Sequence, residues 1–116
     1  MSKSITNHQV PSYVASRSDF VSNSGHAKRY TYMPSTGRLM PEWAQQLHSA
    51  IETARTAGTD VYVVFSYATP VAWCFAGQWT IPAVKYSQTT TRFQNLVRQG
   101  VSTYTETITD PFVGLS

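Results

Sequence analysis

Val61-Tyr62-Val63-Val64-Phe65-Ser66-Tyr67 is a nearly continuous apolar run of strand length. Such a run is typical of a central strand that is covered on both faces. After Thr69-Pro70, the large side chains of Val71, Trp73 and Phe75 alternate with the smaller Ala72 and Cys74. Ala76-Gly77 suits a tight turn, and a second segment with alternating apolar residues follows over 78–81. This pattern predicts a β-hairpin beside the central strand.

Two other segments carry the signals of helices. Pro41 suits the first turn of a helix because that turn needs no N–H from it, and Gly58 suits the end. Between them, apolar residues recur at helical spacing, which predicts an amphipathic helix over 41–57. A second helix is predicted near 89–99, following a cluster of Ser and Thr that could cap it and ending before Gly100.

We therefore expect an α+β fold, made of a small, mainly antiparallel β-sheet with the two α-helices packed on one face. The predicted strands lie near 28–33, 61–67, 71–75, 78–81 and 102–109. A length of 116 residues fits a single domain over 1–116.

The first 27 residues differ in composition from the rest of the chain. Residues 1–27 are rich in Ser, Asn, Thr and Gly and hold only isolated apolar side chains, so we expect a polar N-terminal arm before an α+β core over 28–116. Such an arm is weakly ordered unless something covers it, and a second copy of the chain could do so. This would make the protein a homo-oligomer through its N-terminal arm.

Charge is sparse and unevenly distributed. Charged residues make up 13% of the chain, about half the usual share. The formal net charge is +3, and residues 1–40 hold five basic residues against Asp19 alone. This balance suits either an acidic partner such as nucleic acid or a mildly basic, solvated surface.

Several classes of protein are disfavoured by what the sequence lacks. Cys74 is the single cysteine, which excludes an intrachain disulfide. No secretory signal and no apolar run of roughly 20 residues are present, so we expect no membrane partner and a cytoplasmic location. The three histidines, His8, His26 and His48, lie far apart, and the chain has no glycine-rich phosphate loop and no nucleophile elbow. We predict no catalytic residue, no metal site and no cofactor.

Aromatic rings and hydroxyl groups are concentrated in two segments, around residues 67–73 and 86–92. The second segment ends in a cation at the predicted start of a helix, where unpaired N–H groups could hold a phosphate or a carboxylate. The predicted binding residues are Tyr67, Thr69, Tyr86, Ser87, Thr89, Thr90 and Arg92. The alternative is that the hydroxyls only cap the helix while Trp73 and Trp79, on the inward face of the hairpin, fill the core.

The same two segments resemble a known family. Residues 66–73 and 86–94, with Trp79 between them, are similar to small uncharacterised proteins of actinobacteria, their phages and other mobile elements, whose pattern is SYxTPxAW, a tryptophan, then YSxTTxxHQ. The resemblance covers residues 61–97 and carries no activity. It implies a phage or mobile-element protein acting in a bacterial cytoplasm. One departure is Phe93, which stands where the pattern has histidine, so chemistry at that histidine is not expected here.

Three functions are compatible with these features. The first is a non-catalytic phage or mobile-element accessory protein that binds and modulates a host or phage protein; an exposed aromatic patch would support it. The second is a small nucleic-acid-binding protein, with contacts from Lys28, Arg29, Tyr30, Tyr32, Arg92 and Arg98, and it requires these groups to converge on one surface. The third is an enzyme with a site at the 86–92 helix start.

Overall fold

The computed structural model describes residues 3–34, 36–37, 39–82, 88–101 and 108–109, and these form an α+β fold. The three α-helices are α1 (Val10–Ala15), α2 (Pro41–Thr56) and α3 (Gln88–Val101), and a 3-10 turn spans Asn7–Gln9. The strands are β1 (Lys3–Ser4), β2 (Phe20–Val21), β3 (Gly25–Tyr30), β4 (Val61–Ser66), β5 (Thr69–Phe75), β6 (Gln78–Thr80) and β7 (Ile108–Thr109).

The described strands form one sheet in the order of the sequence, from β1 to β7. The four strand pairs from β2–β3 to β5–β6 are antiparallel, which confirms the mainly antiparallel sheet. The outer strands are parallel: β1 pairs with β2 across α1, and β7 pairs with β6 across α3. Of the strand predicted over 102–109, residues 108–109 form β7, and residues 102–107 lie outside the described residues.

Strand β4 is the central strand that its apolar run predicted. All six of its residues are buried, and its five apolar side chains alternate between two hydrophobic clusters. Val61, Val63 and Phe65 point to one cluster, whereas Tyr62 and Val64 point to the other. The sheet therefore has a core on each face.

The prediction that both helices pack on one face is wrong. Helix α2 buries its stripe of Trp43, Leu47, Ile51 and Ala54 in the cluster that contains Val63. Helix α3 buries Phe93, Val97 and Val101 in the opposite cluster with Tyr62. A strand that is apolar on both sides needs a layer on each face, so one helix must cover each. Trp73 and Trp79 fill the core as expected, but on opposite faces of the sheet.

The N-terminal segment belongs to the core, contrary to the weakly ordered arm expected from its composition. Val10, Val14 and Phe20 are completely buried, and α1 packs against α3 on the same face of the sheet. The two helices approach so closely that a Cβ on Gly100 would lie 2.5 Å from the Pro11 carbonyl oxygen. The arm is thus covered by its own chain, and its order does not require a second copy.

None of the helices in the described part of the chain is long and apolar enough to cross a membrane.

Candidate functional site

The two segments singled out in the sequence meet in space at the β4–β5 hairpin and the first turn of α3. The Ser66 Oγ and Thr90 Oγ1 atoms share a buried hydrogen bond of 3.1 Å. Thr69, at the start of β5, is also buried, and a Cβ on Gly37 would lie 2.5 Å from its Oγ1 atom. These hydroxyls are therefore packed between elements and do not line an open site.

A β-bulge explains the role of Gln94. Val64 pairs with Ala72 and Phe65 pairs with Pro70, so Val71 has no partner on β4. Pro70 supplies no N–H to the ladder and is tolerated at such a bulge. The Gln94 side chain is 2% exposed, and its Nε2 donates to the Val71 carbonyl at 3.1 Å and to the Pro82 carbonyl at 2.9 Å. Gln94 thus satisfies the carbonyl at the bulge and a second carbonyl that follows β6.

Only part of the predicted binding set reaches the surface. Tyr67 is 62% exposed at the hairpin turn, with φ at 55°, and Arg92 is exposed on α3. Thr69 and Thr90 are buried. Tyr86, Ser87 and the side chain of Thr89 lie outside the described residues. The four described members therefore divide between packing and exposure and form no common pocket wall.

Phe93 stands at the position for which the resemblance of the 86–94 segment implies histidine. Its ring is 1% exposed, lies 6.5 Å from the ring of Phe20, and would collide with a side chain at position 25 if Gly25 had one. In this chain the position is a packing position between α3 and β3.

The predicted nucleic-acid contacts do not converge on one surface. Lys28 and Tyr30 alternate with Arg29 along β3, so Arg29 lies on the other face, where its guanidinium sits 5.9 Å from the Tyr62 ring centre. Arg92 and Arg98 lie on α3, which covers that other face. The six-residue set is thus split between the two sides of the sheet.

A different constellation lies on the α2 side of β3, where the sheet extends past α2. We call it the aromatic face and define it as His26, Lys28, Tyr30, Tyr32 and Phe65. His26 stacks on Phe65 with ring centres 4.8 Å apart and planes at 7°, and Tyr30 meets Phe65 edge-on at 5.6 Å. Tyr32 contacts Tyr30 at 5.9 Å and is 61% exposed. Helix α2 packs on β4 and β5, so Tyr32 is exposed and His26 and Tyr30 are half-buried over the buried ring of Phe65.

The five residues of the aromatic face carry little charge of their own. Burial lowers the pKa of His26 below its usual value of 6.5, so its imidazole is neutral at pH 7. Burial, together with Tyr32 and Asp19, raises the pKa of the Tyr30 phenol, which therefore keeps its proton. Lys28 is the single charged side chain among the five residues of this face.

Sequence reasoning missed two members of this face. His26 was assigned to the polar arm because the strand was predicted to begin at residue 28, whereas β3 begins at Gly25. Had the alternation of Lys28 and Tyr30 been extended back by two residues, it would have placed His26 on the same face. Phe65 could be assigned to the core but not to this edge, because its neighbours depend on the β3–β4 register.

The chain matches a family model over residues 10–110, described as a family of unknown function, DUF8033. The protein belongs to the DUF8033 family. The match begins at the first residue of α1, so the region shared by the DUF8033 family includes most of the N-terminal segment. No curated protein and no solved structure matches the chain.

In this DUF8033 protein the described histidines are dispersed. His8 is exposed in the 3-10 turn, His26 lies on β3, and the Nε2 of His48 lies 3.7 Å from Glu52 on α2. The described residues contain no group of three His, Cys, Asp or Glu side chains placed to hold a metal ion.

Proposed function

We propose that this DUF8033 protein is a non-catalytic accessory protein that acts by binding another protein through the aromatic face. The resemblance of its 66–73 and 86–94 segments to phage and mobile-element proteins supports a host or phage protein as the partner, met in a bacterial cytoplasm.

The observation that carries this proposal is a cluster of surface rings with almost no charge. The centres of protein interfaces are depleted in charged residues and enriched in aromatic ones, and tyrosine is a frequent source of binding energy. Tyr32 is 61% exposed, and its ring packs against the half-buried ring of Tyr30. Its ring can therefore insert into a pocket of the partner with little loss of side-chain entropy. Val21, which pairs with His26 and is 44% exposed, extends the apolar surface to β2.

The aromatic face is also rigidly supported. All six residues of β3 pair with β4, from Gly25 opposite Ser66 to Tyr30 opposite Val61. Phe65, the ring on which His26 and Tyr30 pack, is only 3% exposed. A surface held in this way loses little conformational entropy when it binds, which favours affinity.

A photo-crosslinking amino acid at position 32 tests the proposal inside the host. We expect it to trap a defined protein that the same amino acid at Thr53, exposed on the outer side of α2, does not trap. The trapped protein is then purified, and its affinity is measured for the wild type and for two tyrosine variants.

Tyr67 provides a matched control because it is as exposed as Tyr32 but lies outside the aromatic face. Tyr32→Ser should weaken binding by about tenfold or more, as expected when an interface ring is removed, while Tyr67→Ser should bind like the wild type. If Tyr67→Ser loses binding and Tyr32→Ser keeps it, the interface lies at the hairpin turn and the proposal is wrong.

Nucleic-acid binding through a smaller set than the six predicted contacts is a second candidate, because Lys28 lies between His26 and Tyr30 on the same face. Rings that stack on bases beside a cation are a common way to bind single strands. Fluorescence anisotropy with labelled single-stranded DNA and RNA at two salt concentrations separates the candidates. Salt-sensitive binding that Lys28→Ala weakens would favour nucleic acid, and its absence at low salt would leave the protein partner.

A further inference from the structure

Strand β3 extends beyond the strand that pairs with its outer side. All six residues of β3 pair with β4, but β2 has only two residues, and these pair with His26 and Ala27. Among the described strands, residues 28–30 therefore have a neighbour on the β4 side alone. We call the other side of residues 28–30 the open edge.

The main chain of Arg29 points to the open edge. The Ser22 N–H donates to the Gly25 carbonyl at 2.7 Å, so the backbone groups of Gly25 face β2. Successive residues of a paired strand direct their backbone groups to alternate sides, so those of Ala27 and Arg29 face the same way as those of Gly25. Ala27 pairs there with Phe20, whereas Arg29 lies beyond the end of β2.

The segment that precedes β2 does not pair with Arg29. If the β2–β3 register continued by two residues, Ser18 would lie opposite Arg29. The Ser18 N–H instead donates to the Tyr13 carbonyl at 2.9 Å, and the Ser18 carbonyl accepts a hydrogen bond of 2.7 Å from the Tyr62 hydroxyl. Within the described part of the chain, the Arg29 N–H and C=O thus form no backbone hydrogen bond. Such groups can pair with another chain.

The open edge adjoins the aromatic face. Lys28 and Tyr30 contribute to both, and the Tyr30 ring lies 5.6 Å from the ring of Phe65 and 5.9 Å from that of Tyr32. A strand added at the edge would pair with the Arg29 main chain and place alternate side chains beside Tyr30. A helix could not do both, because its backbone groups are bonded within the helix.

We infer that the protein partner contributes an extended segment, which joins β3 as a further strand at the open edge. Side chains at alternate positions of this segment are apolar and pack on the aromatic face. In this mode of recognition, main-chain hydrogen bonds give affinity and the alternate side chains give specificity. The inference rests on the proposed function, because it names the form in which the partner reaches the aromatic face.

A library of fully randomised heptapeptides, selected on the wild-type protein, provides the probe. We expect the selected peptides to carry β-branched, aromatic or other apolar residues at alternate positions, as a half-buried strand requires. Enrichment of apolar residues at helical spacing, enrichment of proline-rich peptides, or no enrichment at all would overturn the inference.

Hydrogen exchange of single amides, followed by NMR, tests the pairing in the wild type. In the free protein the Arg29 N–H should exchange rapidly, whereas the Tyr30 N–H faces β4 and should be protected. The selected peptide at ten times its Kd should slow exchange at Arg29 about tenfold, because only the unbound fraction exchanges. Unchanged exchange at Arg29 would overturn the inference. Protection that grows with protein concentration, without peptide, would overturn it in favour of a second copy of the chain.

Arg29→Pro and Arg29→Ala are a matched pair of variants. Both remove the side chain with its contacts to the Arg17 carbonyl and to Asp60, but only proline removes the N–H. Proline costs no β3–β4 hydrogen bond here, because the Arg29 N–H faces away from β4. Arg29→Pro should bind the peptide about tenfold more weakly than Arg29→Ala. Equal affinities would contradict strand addition, and the exchange experiment decides if Arg29→Pro fails to fold.

Failure of this inference can be told apart from failure of the proposed function. The protein trapped by the photo-crosslinker at position 32 is added to the exchange experiment. If Tyr32→Ser weakens its binding but it leaves the exchange at Arg29 unchanged, the aromatic face binds without strand addition, and only the inference is wrong. If Tyr32→Ser binds it like the wild type, the proposed function is wrong.

Discussion

Replacing Gln94 by leucine should strongly destabilise the protein, even though the new side chain has a similar size and greater hydrophobicity. The Gln94 Nε2 donates to the carbonyl groups of Val71 and Pro82, at 3.1 Å and 2.9 Å, in a site where the side chain is 2% exposed. Leucine removes both donors and leaves two buried carbonyl oxygens, one of them at the bulge, without this partner.

The magnitude follows from the cost of leaving buried polar groups unsatisfied. Each such group costs about 1–3 kcal/mol, and the added apolar contact of leucine offsets a fraction of the sum. We expect a loss of about 2–4 kcal/mol, a large share of the roughly 5–15 kcal/mol that stabilises a typical domain. For a chain of this length the melting temperature should fall by about 8–16 °C.

Urea unfolding followed by the fluorescence of the tryptophans measures the change, with the m-value as a check that both proteins unfold in the same way. Gln46→Leu is the matched control because Gln46 is exposed on α2, and its effect should stay within about 0.5 kcal/mol. A loss below about 1 kcal/mol for Gln94→Leu would show that other groups satisfy the two carbonyls, and the structural role assigned to Gln94 would be wrong.

Two further predictions concern β3. Gly25→Ala should cost about 3 kcal/mol or more in unfolding free energy, because its Cβ would meet a carbonyl oxygen of β4 and the Phe93 ring; Gly58→Ala, with φ at 76° and nothing within 4 Å, should cost only about 1 kcal/mol. Similar losses in the two variants would contradict this. His26 has a pKa lowered by burial, so the unfolded chain binds its proton more readily. Below pH 6.5 the unfolding free energy of the wild type should therefore fall relative to that of His26→Gln, and above pH 6.5 the difference between the two should be constant. If the unfolding free energies of the two proteins change in parallel with pH throughout, His26 is not a buried, neutral side chain.

Strands β4, β5 and β6 and the two long helices were predictable because their signals are local, whereas β1 and β2 were not predicted and β3 begins three residues before its predicted start. The apolar run of β4, the alternation in β5 and the stripe of α2 each report burial within a few residues. The side of the sheet that a helix covers is not a local property. An amphipathic stripe shows that a helix has a buried side, but it does not show against which face of the sheet that side packs. Only the continuous burial of β4 indicates that both faces of the sheet must be covered by other elements.

The packing of the N-terminal segment could not be predicted from its composition. Helix α1 has six residues, too few to be stable in isolation, and its apolar side chains at Val10 and Val14 give only one helical repeat. These side chains are buried because α3 provides a surface for them, with Gly100 allowing the close approach. Such tertiary stabilisation has no signature within the segment.

The roles of the two motif segments depended on register in the same way. The sequence predicted Thr69 and Thr90 as binding residues, with a packing role as the alternative, and it did not predict the structural role of Gln94. The bulge at Val71 explains the structural role of Gln94, because it leaves the Val71 carbonyl without a strand partner and the Gln94 Nε2 donates to it. The position of a bulge depends on how two strands pair, which single-strand patterns do not show.

The register of β3 links this packing to the aromatic face. His26, Lys28 and Tyr30 lie on that side, while Ala27 and Arg29 lie on the side that α3 covers. A slip of one residue would exchange the two sets and abolish the aromatic face.

Gly25 and Phe93 prevent that slip. The Phe93 ring fills the space beside Gly25 where any side chain would collide, so glycine alone fits at this position of the strand. After a one-residue slip, the His26 side chain would have to enter the space that Phe93 occupies. A Cβ at position 25 would also lie within 2.0 Å of the Phe65 carbonyl oxygen. This carbonyl and the Phe93 ring together therefore favour the register that places His26 on one side of the sheet and Arg29 on the other.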